Sequence, residues 1–108
     1  MKKELELYEL VLLLKYTSAK ELTEKIDRYK KFLTERGSQV MVKNHGKIPL
    51  AYNIKGFDTS TYIQFVYLGN GELIKQLQTE LKRDEGILRT ITTRLMDDNV
   101  AKVFKMGV

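Results

Sequence analysis

At 108 residues, 43% of them hydrophobic and 31% charged, the chain has the composition of a single folded domain and can bury about 65% of its unfolded surface without staples. With no cysteine, disulfides and thiolate chemistry are excluded, and with one histidine, His45, so is a histidine metal cluster. Lys and Arg number 19 against 14 Asp and Glu, a net charge of +5 that suits a polyanionic partner such as nucleic acid.

The N-terminus, Met1-Lys2-Lys3-Glu4, lacks the apolar segment of a signal peptide and the composition of a transit peptide. The chain is therefore expected to be made where it works or to be already mature. Leu5 to Leu10 alternates and Val11 to Leu14 is continuously apolar. This is a strand that starts half exposed and runs into a buried centre. Its apolar run is far too short to cross a bilayer, so no membrane partner is expected.

Ser18-Ala19-Lys20-Glu21 is a capping box, and Leu22, Ile26, Tyr29 and Leu33 follow as one helical stripe. Gly37 is the expected residue just past the C-terminus. The spacing predicts a helix over residues 18–36.

Next comes an extended stretch, Val40 to Ile54. Val40, Val42, Ile48, Leu50, Tyr52 and Ile54 share a parity, which predicts that they face one side. Gly46 interrupts the pattern and predicts a bulge or bend. Pro49 confines the strand to a sheet edge. Gly56 to Ser60 reads as the connection of a hairpin, and Thr61 to Leu68 as its second strand. Asn70 caps a shorter helix with the stripe Leu73, Ile74, Leu77 and Leu81, ended by Asp84-Glu85-Gly86. Ile87 to Leu95 is a last strand carrying Arg89 and Arg94.

The order β-α-β-β-α-β predicts an α+β, ferredoxin-like sandwich. Its four-stranded antiparallel sheet has strand order 4-1-3-2, with both helices on one face and the other face open. Residues 1–95 make the single domain. Residues 96–108 read as a C-terminal tail without a period, expected to take order from a partner.

Catalysis finds little support. Asp84-Glu85 and Asp97-Asp98 read as solvated surface charge, and His45 as a hydrogen-bonding or stacking residue beside the bend. There is no G-x-x-x-x-G-K-[ST] loop. Nor is there an acylphosphatase-like phosphate loop near the first strand, although the topology is shared. Binding is the better reading. Tyr8, Tyr62, Phe65 and Tyr67 lie on or near the sheet's open face, which invites comparison with the RNA-recognition motif. The basic opening of that motif's third-strand signature is missing. Lys2, Lys3, Lys43, Lys47, Lys55, Arg89 and Arg94 are the candidates for phosphate contacts.

Tyr8-Glu9, Gly37, Gly46 to Ile54 on the bent strand, Tyr62, Leu77 to Leu81 and Ile87-Leu88-Arg89 occur in an order and spacing that carry a likeness over Leu7 to Leu95. Together they resemble the bacterial and plastid family of small-subunit ribosomal protein six, with Leu50-Ala51-Tyr52 after the glycine the most diagnostic piece. The resemblance implies a ferredoxin-like fold, no enzymatic activity and no cofactor or small-molecule substrate. It also implies two partners, small-subunit ribosomal protein eighteen and the central domain of 16S-type ribosomal RNA. Lys2, Lys3, Lys47, Lys55, Arg89 and Arg94 are then the RNA-binding candidates; Tyr8, Leu50, Tyr52 and Tyr62 are the candidates for the protein partner. Two positions depart from the family: His45 stands where it usually has tryptophan, and Ile48 where it has arginine. Lys47 is the residue placed to supply the missing basic contact from the other side of the strand. Arg89 matches a family arginine. The Lys- and Ile-leaning composition suits a plastid or cyanobacterial ribosome. The contrasting expectation is a regulatory domain of the same topology that binds a small molecule.

Overall fold

The computed structural model describes residues 5–15 and 18–95. Lys2, Lys3 and the tail lie outside them, as does the expectation that a partner orders the tail. Along the described chain run β1 (Glu6–Leu14), α1 (Ala19–Thr34), β2 (Val40–Ile54), β3 (Phe57–Gly69), α2 (Gly71–Lys82) and β4 (Ile87–Leu95). The sheet order is β2-β3-β1-β4 with every pairing antiparallel, which is the predicted 4-1-3-2 read from the opposite edge. The most apolar strands take the centre because only there do both faces and both edges leave water.

Each helix starts as its sequence dictates. The Ser18 hydroxyl accepts the Glu21 amide at 3.2 Å, and the Asn70 side chain accepts the Leu73 amide at 3.0 Å. These side chains serve backbone donors that have no partner within the helix. Tyr29 and Leu33 of α1, with Leu73, Leu77 and Leu81 of α2, pack on Leu10, Leu12, Leu14, Ile63, Phe65 and Tyr67. Each large side chain sealed in this way contributes about 1.5–3 kcal/mol.

Three expectations need correction. First, Val40 and Val42 do not share a face with Ile48, Leu50 and Ile54. Asn44 pairs with Ile63 and Gly46 with Tyr62, so His45 is an extra residue on the β2 side. One inserted residue flips every side chain beyond it. Val40 and Val42 therefore join the helix-covered core, while Ile48, Leu50 and Ile54 pack on the opposite face. Gly46 sits at φ +81° and its amide donates to the Asn44 side chain at 2.7 Å. Any side chain at that position would be strained.

Second, the hairpin is longer and its loop shorter than predicted. Ile54 pairs with Phe57 across the two residues Lys55 and Gly56, at φ 51° and 87°. Two positive φ values in succession make the type I′ turn whose twist matches its strands. Residues 57–60 thus belong to β3.

Third, the face away from the helices is not wholly open. Ile48, Leu50, Ile54 and Tyr62 pack against buried Val11, Leu13 and Leu88. At the other end of that face, Met41, Leu68 and Leu95 pack against Leu7 and Val66.

Candidate functional site

The far end of the β2–β3 hairpin gathers several of the predicted residues. Leu50 and Tyr62 share the apolar cluster just described, along with Ile48. Tyr52 is 63% exposed, and its hydroxyl accepts a hydrogen bond from Arg89 Nη1 at 3.0 Å. The Arg89 guanidinium also lies 5.8 Å from the Tyr52 ring centroid, within cation–π range. Lys55, at the turn, reaches to 3.5 Å from the Ile87 carbonyl. Tyr52 of β2 and Lys55 of the turn lie far in sequence from Arg89 of β4, and the hairpin brings them to one end of the sheet. Ile48 is half-buried in that cluster, so the position where the resemblance leads one to expect arginine is filled by apolar packing. Lys47, paired with Thr61, points to the other side of the strand.

A second feature runs across the middle of the helix-free face. Gln64 Nε2 donates to the Glu9 carboxylate, and Gln64 Oε1 lies 2.9 Å from His45 Nε2. With the Gln64 amide donating to Glu9, its oxygen is the acceptor, so His45 donates through Nε2. The His45 ring also meets Tyr62 edge-on, with centroids 4.8 Å apart. This polar row crosses β2, β3 and β1 and separates the two apolar clusters of that face. His45 thus has the hydrogen-bonding and ring-contact role its place by the bend implied. Gln64 and Glu9 were missed; their signal is a polar residue alternating with Ile63 and Phe65 in an otherwise apolar strand.

The other candidates are scattered. Arg94 and Arg89 are five residues apart on β4, roughly 17 Å at strand rise, and the odd spacing puts them on opposite faces. Arg94 lies 3.2 Å from Glu6. Tyr8 faces the helices, where its ring stacks on Tyr67 at 5.9 Å. Phe65 and Tyr67 face the same way and are fully buried. Of the four aromatics expected near an open face, only Tyr62 is on the helix-free side. The comparison with base-stacking strands is corrected accordingly.

Asp84 also departs from its reading as a solvated charge. Its side chain is 8% exposed. Oδ1 accepts from Lys25 Nζ and the Gly86 amide, both at 2.8 Å, and Oδ2 from the Tyr29 hydroxyl at 2.7 Å and Arg28 at 3.0 Å. Burial pushes its pKa up, but the hydrogen bonds from Lys25, Tyr29 and Gly86 together outweigh it and hold the carboxyl below its usual range. Burial first, then the bond to Asp84, raises the Tyr29 pKa. The network ties α1 to the loop before β4. Both oxygens of Asp84 are engaged as acceptors in holding that structure. Among the described residues, no group of three or more His, Cys, Asp or Glu could hold a metal ion. No described helix is long and apolar enough to cross a membrane.

Residues 7–94 match the family model described as ribosomal protein S6. The chain belongs to the ribosomal protein S6 family. Curated relatives agree. The chain is 35% identical over 98 residues to small ribosomal subunit protein bS6c of Porphyra purpurea, covering 89% of this chain and 88% of that one. It is 35% identical over 89 residues to protein bS6 of Synechococcus elongatus, covering 81% and 83%. The fold matches the crystal structure of 30S ribosomal protein S6 from Thermotoga maritima at a TM-score of 0.77, with 22% identity over 96% of this chain and 98% of that one. Membership of the S6 family makes the chain a structural protein of the small ribosomal subunit and not an enzyme. Its S6 relatives place it in the ribosome of a plastid or of a bacterial cytoplasm.

Proposed function

We propose that the chain binds the central domain of 16S-type ribosomal RNA together with small-subunit ribosomal protein eighteen. The observation that carries this reading is the family match over residues 7–94, joined to the grouping of cations at the hairpin end. Lys55 and Arg89 present positive charge there, and Lys47 is a further RNA candidate on the other side of β2, away from the turn. Lys2, Lys3 and Arg94 are further RNA candidates, Arg94 on the opposite face from Arg89. Leu50, Tyr52 and Tyr62 form the apolar and aromatic surface proposed for protein eighteen. Tyr8, packed beside Tyr67 on the helix-covered face, lies on the other side of the sheet from that surface.

The test is binding of a central-domain transcript, with and without protein eighteen, over a salt series. Each phosphate contact adds close to one unit to the salt slope. Arg89→Ala is expected to weaken binding about equally across RNA sequences and to flatten the slope by about one unit. An unchanged slope removes Arg89 from the interface. The rival reading, a small-molecule regulatory domain, predicts a ligand site that barely responds to salt. The cavity at the hairpin end favours the first reading: its lining includes Lys55, Lys82, Asp84 and Arg89 and is not a closed apolar wall.

A further inference from the structure

We propose that the cleft between the C-terminal half of α2, the β2–β3 turn and the start of β4 seats the phosphodiester backbone of an RNA strand. The proposal rests on the RNA-binding reading above and adds α2, through Lys82 and Gln78, to the surface that performs it.

The cleft has a volume of about 520 Å³. Its floor is apolar and buried, formed by Leu81, Ile87 and Leu88. Its rim carries Lys55, Lys82 and Arg89, with Gln78 and Thr90 as neutral polar groups. Among the described residues, the one acid in the lining is Asp84. Both of its oxygens are already held, by Lys25, Gly86, Arg28 and Tyr29. Its charge is thus offset from the α1 side. Among the described residues, the cleft is left with three cations from three separate segments and no uncompensated anion in its lining.

The donors have capacity to spare. Arg89 has five N–H groups, and one goes to the Tyr52 hydroxyl. Lys55 has three, and its contact with the Ile87 carbonyl, at 3.5 Å, is at the long limit of a hydrogen bond. A helix C-terminus opposes an anion through its free carbonyls. Here the Glu80 and Leu81 carbonyls are met by the Arg83 and Asp84 amides at 3.3 and 3.1 Å, which weakens that opposition. Size argues for a polymer rather than a single small anion. At about 30 Å³ of liquid per water, the space holds roughly 17 waters, more than one phosphate group fills. Spaced cations over a neutral polar rim are the arrangement that follows a nucleic-acid backbone without reading its bases.

The experiment compares wild-type protein, Lys55→Gln/Lys82→Gln and the control Lys20→Gln/Lys30→Gln on the outer surface of α1. Each is titrated with a 16S-type central-domain transcript in the presence of protein eighteen over a salt series. The cleft pair is expected to lose about two units of salt slope and the control pair none. In parallel, RNA added to the wild-type protein should move the backbone amide resonances of Gln78, Lys82 and Thr90, a readout that does not depend on any variant folding. Three results overturn the proposal. Wild-type protein that fails to bind the transcript removes the RNA reading and the cleft together. Binding with the slope kept in the cleft pair, or lost equally in the control pair, removes the cleft alone. So does binding that leaves those three amides unmoved.

Discussion

The two faces of the sheet are built from the same strands yet differ in kind. On the helix-covered face, Leu10, Leu12, Leu14, Ile63, Phe65 and Tyr67 meet the stripes of α1 and α2 in one continuous core. On the other face, two smaller apolar clusters sit at opposite ends, divided by the row His45, Gln64 and Glu9. Ile91 and Tyr52 there remain exposed. The contrast shows a division of labour. The helix face holds the fold, and the helix-free face, with the hairpin that curls over one end of it, presents groups to neighbours.

The largest expected effect tests the core. Leu33→Ala, at a fully buried position, should cost about 2–5 kcal/mol in urea unfolding. Ile48→Ala, half-buried on the other face, should cost about half of that or less. Equal costs would erase the distinction between the faces.

Next comes the lock at the edge of the helix layer. Asp84→Asn should cost about 1–3 kcal/mol, because it weakens bonds from Lys25, Arg28 and Tyr29 in a largely buried setting. The sign with pH follows from the lowered pKa of Asp84. Its contribution is complete above the unfolded carboxylate value of about 3.9 and fades as pH falls through the lower folded value. Wild-type stability should therefore decline below about pH 4 more steeply than that of Asp84→Asn. Parallel acid profiles would show that Asp84 is not held as the geometry indicates.

The smallest effect concerns Tyr67. Its hydroxyl is buried without a hydrogen-bond partner among the described residues, and burial pushes its pKa up to about 12. Tyr67→Phe should be neutral or stabilising by up to about 1 kcal/mol at neutral pH. A raised folded pKa means stability is lost as pH climbs from the unfolded value near 10 toward 12. The variant should lack that part of the alkaline loss. A destabilised variant would mean that the hydroxyl is satisfied after all.

Much of this was legible along the chain. The stripe Leu22, Ile26, Tyr29 and Leu33, the caps Ser18 and Asn70, and the apolar runs of β1 and β3 are local signals, and they determined element type and order. From order and apolarity, the central and edge strands followed, because a strand flanked on both edges loses most water contact and is the more apolar for it. The resemblance in Gly46 to Ile54 reached as far as the family. The bulge was foreshadowed by Gly46, but its consequence was not. Whether His45 pairs or bulges depends on which residue of β3 faces it, and that single choice put Ile48 and Leu50 on the opposite face from Val42.

Asp84 shows the same limit. In the chain it is one of two acids after a helix. In the fold it is the acceptor for Lys25, Arg28 and Tyr29, more than fifty residues away. The cleft of Lys55, Lys82 and Arg89 likewise has no trace in sequence spacing. Local patterning therefore determined what this protein is made of and which family it joins. Tertiary structure alone decided which charges are neutralised and which are left facing outward. Neutralisation depends on distances of a few ångströms between segments that the chain itself keeps far apart.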